Sequence, residues 1–212
     1  MPGENLAPQR KMITDQYVYT SPPYNGSYSN CIAAIIRDAS FTCNTRDLYS
    51  AYPEKSHMMR YGFPIDLFAR HAADLIALFS NSHAEAVELL VENKIPGGKL
   101  VAKYYANVLI NTRVAQAYQT FFASFAISGG DPNTLEMPTV DGGDAPKWPV
   151  ADGNGDELKN VLTVQMPSGQ PGFVLGPDDQ NKKKACAFWT KIAGEVEAAT
   201  KNSAGLKYNE DL

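Results

Sequence analysis

Residues 57–79 read HMMRYGFPIDLFARHAADLIALF. The first seven, short and aromatic, have the composition of a strand, and Pro64 closes it because proline has no N–H for a ladder. FARHAADLIALF (68–79) then becomes amphipathic, with His71 just ahead of the apolar run and Asp74 three positions later. The stretch therefore predicts a strand, a loop and a helix in succession. A histidine stands where the loop ends and the helix begins.

Working outward, YSNCIAAIIR (28–37) spaces Cys31, Ala34, Ile35 and Asp38 along one face, which predicts a helix ending near Asp38. FTCNTRDLYSAYPE predicts a short extended entry and a second helix stopped by Pro53. Residues 1–27, rich in Pro, Gly, Ser, Asn and Tyr, read mostly as loop. NSHAEAVELLVENK is an acidic helix ended by Pro96, Gly97 and Gly98. A long helix from about Leu100 to Ile127 follows, with Val101, Tyr104, Tyr105, Val108, Val114, Tyr118, Phe121, Phe122 and Phe125 on one broad apolar face. Residues 128–157, dominated by Gly, Pro and Asp, read as a surface loop. LKNVLTVQM and GFVLG are two strands joined by PSGQP. Asp178 or Asp179 is placed to cap a final helix with Ala185, Phe188, Trp189, Ile192 and Val196 on its apolar face. About three short strands against several one-faced helices leave too little sheet for the helices to cover, so the chain reads as part of a larger domain.

The 212 residues are 44% apolar and 20% charged, the composition of an ordinary globular chain. A net charge of −4 offers no basic field to a polyanion, which disfavours nucleic-acid binding. No stretch approaches the ~20 apolar residues of a membrane span, and the opening MPGENLAPQRKMI lacks the apolar centre of a signal peptide. Cys31, Cys43 and Cys186 have no zinc-ligand spacing. One disulfide with a leftover thiol, and three buried free thiols, are both open from spacing alone.

Self-contained catalytic signatures are missing: there is no G-x-S-x-G elbow, P-loop, G-x-G-x-x-G or H-E-x-x-H. Acid–base chemistry near neutral pH then falls to His57, His71 and His83, since imidazole titrates in that range. His57 opens a strand and His83 begins a helix, ordinary surface settings. His71 alone lies at a loop–helix junction ahead of an apolar run.

Several segments in order resemble the type-B carboxylesterases, the cholinesterase-like esterases and lipases, in a fungal-looking form. They are DASFTCNTRDLYSAY, HMMRYGF and RHAADLIALF, then YQTFFASFAISGGDPN, KWP and CAFWTKI. The resemblance covers residues 38–192 and implies the C-terminal part of an α/β-hydrolase fold, helix-rich with a few sheet strands. It implies that His71 is the general base of a Ser-Asp/Glu-His triad, that Asp74 is a supporting or helix-capping carboxylate, and that Cys43 and Cys186 pair. In that family's order the serine and the acid precede the histidine, and no residue before His71 matches either. The implied activity is hydrolysis of a carboxylic ester or acylglycerol without cofactor or metal, in a secreted protein. The disulfide and the sequon Asn25-Gly26-Ser27 agree with an oxidising compartment. The competing expectation is a non-catalytic cholinesterase-like remnant serving as an interaction module.

Overall fold

HMMRYGF supplies a three-residue strand, β1 (Met59–Tyr61), in a computed structural model that describes residues 6–63, 74–92, 94, 97–140, 143–166 and 172–208, with side chains to residue 201. β1 lies parallel to β4 (Glu157–Gln165), with Met59 opposite Leu162 and Tyr61 opposite Val164. The strand order is β1-β4-β5, where β5 is Gly172–Lys182. Backbone bonds from Leu162 N–H to Met58 O (3.0 Å) and from Gly62 N–H to Val164 O (2.8 Å) extend the pairing at both ends of β1. Parallel pairing needs a crossover, and the long stretch between β1 and β4 supplies it. Along β4 the in–out alternation slips at Asn160, which takes a positive φ of 57°.

Contacts divide the chain into two units, Tyr52–Asn154 with Leu158–Asp178, and Met1–Ala51 with Gly155–Glu157 and Asp179–Leu212. In the first, helices α4 (Asp74–Phe79), α5 (His83–Glu92), α6 (Gly98–Asn111) and α7 (Val114–Ser128) gather around Phe63, Ile76, Ala106, Leu109, Tyr118 and Val164. α5 is capped by Ser82, whose Oγ accepts from Glu85 N–H at 3.3 Å, and Glu85 Oε2 reaches back past the cap to accept from Asn81 N–H at 2.8 Å.

The expected long helix over 100–127 is two helices. Thr112 Oγ donates to the Val108 carbonyl, and Arg113 takes a left-handed φ of 63°, so the chain turns between α6 and α7. The buried face also differs from the aromatic stripe the spacing predicts. α6 buries Ala102, Ala106 and Leu109, while Tyr104 is exposed. Small side chains let helices approach closely, a role that apolar periodicity alone does not reveal.

Residues 128–157 are not wholly surface. They carry two short paired strands, β2 (Thr139–Val140) and β3 (Gly143–Asp144). Val140, Trp148 and Ala151 are buried, and Trp148 packs edge-on against Phe121 at 5.6 Å in a cluster with Leu162.

In the second unit, the stretch expected as loop over residues 1–27 holds α1 (Ala7–Gln16). Pro8 falls in its first turn, where a missing N–H costs nothing, and Lys11–Asp15 pair one turn apart at 2.8 Å. α2 (Tyr28–Arg37) is capped by Ser27, whose side chain accepts from Asn30 N–H. The chain then widens into a π-helical turn, Asp38–Thr42, and continues as α3 (Cys43–Ala51). The extended entry expected at FTCN is thus helical. The last helix, α8 (Lys183–Tyr208), starts later than Asp178 or Asp179 would have it, because those two belong to β5. Asp156 serves its first turn instead: its carbonyl accepts from Lys183 N–H at 2.7 Å and its Oδ1 from Lys184 N–H at 2.9 Å.

Candidate functional site

His71 lies outside the described residues, as do Pro64–Ala73 throughout. What the structure defines is the frame on either side of it. Phe63, the last described residue before the gap, is 1% exposed. It meets Tyr61 and Tyr105 edge-on, with ring centroids at 6.4 and 6.1 Å. Tyr61 in turn stands against Tyr118 of α7 at 5.7 Å. These edge-to-face contacts fix where β1 delivers the chain, since each adds a directional preference to the burial of large rings.

On the far side, Asp74 is the first residue of α4. Ile76 and Ala77, one turn in, are buried. The other end of α4 is held by Gln119 of α7, whose Nε2 donates to the Ala77 and Ser80 carbonyls, both at 3.0 Å. A helix of six residues is too short to hold itself by backbone bonds alone, so these contacts keep it in place. Removing the side-chain donor leaves two part-buried carbonyls without it. Gln119→Ala should therefore lower stability by roughly 1–3 kcal/mol in chemical denaturation. A midpoint equal to wild type would show that water replaces the amide there without loss.

Electrostatically the frame is quiet. Burial pushes the Tyr61 and Tyr118 phenols well above the usual tyrosine range. The neighbouring Tyr118 and then Asp74 add to the shift at Tyr61, and Asp74 adds to it at Tyr118. Both rings are neutral at physiological pH and act as walls, not as anions. Among the described residues no three His, Cys, Asp or Glu side chains come together in a way that could hold a metal.

His57 and His83 both lie within the described residues. His83 begins α5. His57 Nδ1 donates to the Trp148 carbonyl at 2.9 Å, and its ring lies edge-on to Trp148 and Phe125. The same carbonyl accepts from Asn133 Nδ2 at 2.9 Å, while Asn133 Oδ1 accepts from Trp148 N–H at 2.7 Å. Asn133 is held by Asp131, which accepts from its backbone N–H at 2.8 Å. That bond, reinforced by the Asn133 side chain, holds the Asp131 carboxyl below its usual range. Trp148 Nε1 donates to Met58 O at 3.0 Å. The GDPN and KWP segments are thus two halves of one clasp beside β1. Sequence reading singled out the two segments separately; only side-chain geometry joins them.

The remaining residues singled out lie in the other unit. Cys43 and Cys186 form a disulfide with Cα atoms 5.0 Å apart and a sequence separation of 143. Cys31 is a buried free thiol that donates to the Tyr17 carbonyl at 3.4 Å. Asn25 lies exposed in the turn before α2. Two buried polar centres had no signal in the sequence. Tyr17 O–H donates to Asp38 Oδ2 and accepts from Trp189 Nε1, both at 2.8 Å, while Arg37 pairs with Asp38 Oδ1 at 2.8 Å. Arg46, 5% exposed, donates to the Asp156, Asn181 and Gly155 carbonyls at 2.9, 2.7 and 3.2 Å. Burial draws its pKa down, and Asp156 opposes that shift. The first joins Tyr17 and the end of α2 to α8, and the second joins α3 to the residues just ahead of α8.

Among the described residues no helix is long and apolar enough to cross a membrane. No protein-family profile matches the sequence, and no solved structure matches it. The chain is 32% identical over 190 residues to a secreted lipase of Arthroderma benhamiae, an alignment that takes in 86% of this chain and 30% of that protein. It is a helix-rich chain with a few strands, similar to a portion of a secreted lipase and spanning less than a third of that relative's length.

Proposed function

We propose that the chain is the histidine-bearing C-terminal part of a secreted ester hydrolase of the α/β-hydrolase fold, of type-B carboxylesterase kind. The observation that carries this reading is the position of His71. It falls between a parallel strand, β1, and a short helix, α4, in a chain similar along 86% of its length to part of a secreted lipase. A strand-to-helix connection in a parallel sheet is where such folds present reactive side chains.

In this reading the His71 imidazole takes the proton from a serine hydroxyl as the serine oxygen attacks the ester carbonyl. It then gives that proton to the departing alcohol. One imidazole serves both steps because its pKa lies near working pH. Asp74, at the start of α4, supports the loop; the clasp around Trp148 and the Tyr61–Tyr118 contact brace β1. The serine, the acid and the oxyanion donors lie outside this chain, so the acyl and alcohol pockets are set mainly elsewhere. The substrate is a carboxylic ester or acylglycerol, and no cofactor takes part.

The direct test compares this chain with the longer polypeptide that contains it. The longer protein should hydrolyse short p-nitrophenyl esters and take up a serine-directed fluorophosphonate in stoichiometric amount. The 212-residue chain alone should do neither above background. Stoichiometric labelling of the chain alone would place the nucleophile within it and overturn the reading.

A further inference from the structure

We propose that Asn25 carries an N-linked glycan. Asn25-Gly26-Ser27 is the one Asn-x-Ser/Thr triplet of the sequence, and such triplets arise often by chance, so the inference depends on how this one is presented. Asn25 and Gly26 have φ values of 48° and 84°, and Ser27 N–H donates to the Tyr24 carbonyl at 2.8 Å. That is a hairpin-type turn with left-handed backbone at both central positions, which asparagine and glycine tolerate best. The turn is anchored from below by Asn25 N–H to Ser21 O (3.1 Å) and Gly26 N–H to Tyr19 O (2.8 Å). Its outer side is open: Asn25 is exposed, and a Cβ built on Gly26 would meet nothing within 4 Å. The Asn25 side-chain amide makes no hydrogen bond among the described residues.

Turn geometry and the Ser27 cap by themselves explain why Asn and Ser occupy these positions. They do not explain the surface next to them. Tyr19 and Tyr28 flank the turn with their rings edge-on at 5.9 Å, and they are 47% and 67% exposed. Ile32 and Ile36, one and two turns further along α2, are 37% and 51% exposed. An apolar stripe that begins at a glycan acceptor is a surface the sugar can shield, since a bulky, hydrated modification solubilises what lies beneath it.

The transfer needs a lipid-diphosphate-linked oligosaccharide, the sugar donor of the secretory pathway. The Asn25 amide nitrogen attacks C1 of the first sugar, and a C1–N bond forms as the C1–O bond to the diphosphate breaks. The amide loses one proton, and the lipid diphosphate leaves with the electron pair. The inference rests on the secretion part of the proposed function and not on ester hydrolysis. An absence of esterase activity in the longer protein would leave it standing.

The test expresses the full chain behind a cleavable leader in a glycosylating eukaryotic host. Leader-cleaved chain is analysed whether secreted or retained, so that entry to the lumen is assured. Trypsin releases Met12–Arg37 with Asn25 in it. That peptide should carry a sugar mass removed by peptide-N-glycosidase, with aspartate left at the site. The sugar should persist in Ser27→Thr and be lost in Asn25→Asp, a replacement that also accepts the left-handed turn. An unmodified Met12–Arg37 peptide from leader-cleaved wild-type chain overturns the proposal.

Discussion

In the longer polypeptide, His71→Ala should reduce the turnover of a soluble ester by roughly four orders of magnitude or more, while KM changes little. Without the imidazole, the serine hydroxyl keeps its proton at neutral pH and the leaving alkoxide has no acid. The residual rate comes from oxyanion stabilisation and binding alone. His57→Ala and His83→Ala should stay near wild type in rate. His57→Ala should nevertheless lower stability by about 0.5–1.5 kcal/mol through loss of its bond to the Trp148 carbonyl. The three variants thus separate chemistry from scaffold, with thermal melts read beside the kinetics. Equal losses of activity at all three histidines would remove His71 from its assigned role.

Breaking the Cys43–Cys186 bridge should have the largest effect on stability. It closes a loop with a sequence separation of 143. In the chain-entropy description a loop of that order restrains the unfolded state by ~4 to 5 kcal/mol. Cys43→Ser with Cys186→Ser should therefore lower the melting midpoint by roughly 10 °C or more. Non-reducing tryptic mapping should recover Asp38–Arg46 joined to Ala185–Lys191, with Cys31 alkylated only after unfolding because it is 4% exposed. A bridge that includes Cys31, or a double variant that melts with wild type, would count against this account.

Local patterning revealed much of the second unit's helical content and the strand ahead of His71. α2 occupies Tyr28–Arg37, the span its one-faced spacing predicts, and β1 lies within HMMRYGF. These elements announce themselves because their apolar residues repeat at the period of the structure they form. α1 did not, because it is polar on most sides and no buried residue marks it; its helix formers were masked by the Pro, Gly and Ser around them. The break at Arg113 was equally hidden. A left-handed residue between two apolar helices leaves the spacing nearly unchanged, and Arg is a good helix former.

Long-range partners were the least legible. Nothing near Lys183 in sequence points to Asp156 as the group that receives its helix. Nothing near Asn133 points to Trp148 either. As for the site, Asp74 is the first residue of α4, close to where the apolar run predicts a helix, while His71 lies outside the described residues. The family resemblance, not spacing, supplied the role expected of His71, since no residue before it matched the serine or the acid of that pattern.

The polar ring around Arg46 also bears on the order of events during synthesis. Arg46 is held by carbonyls from residues 155, 156 and 181, and α8 closes the same unit. A ribosome delivers residues in order, so α2 and α3 must wait for well over a hundred residues before their partners exist. In the other unit, α5 packs on α6 and α6 on α7, neighbours in sequence, and such contacts form fastest. During that interval the buried faces of α2 and α3, with Cys31 and Cys43, stay open to solvent, and the thiols are exposed to wrong pairing. Nascent-chain protection, by a chaperone or a thiol isomerase, therefore matters most for α2 and α3.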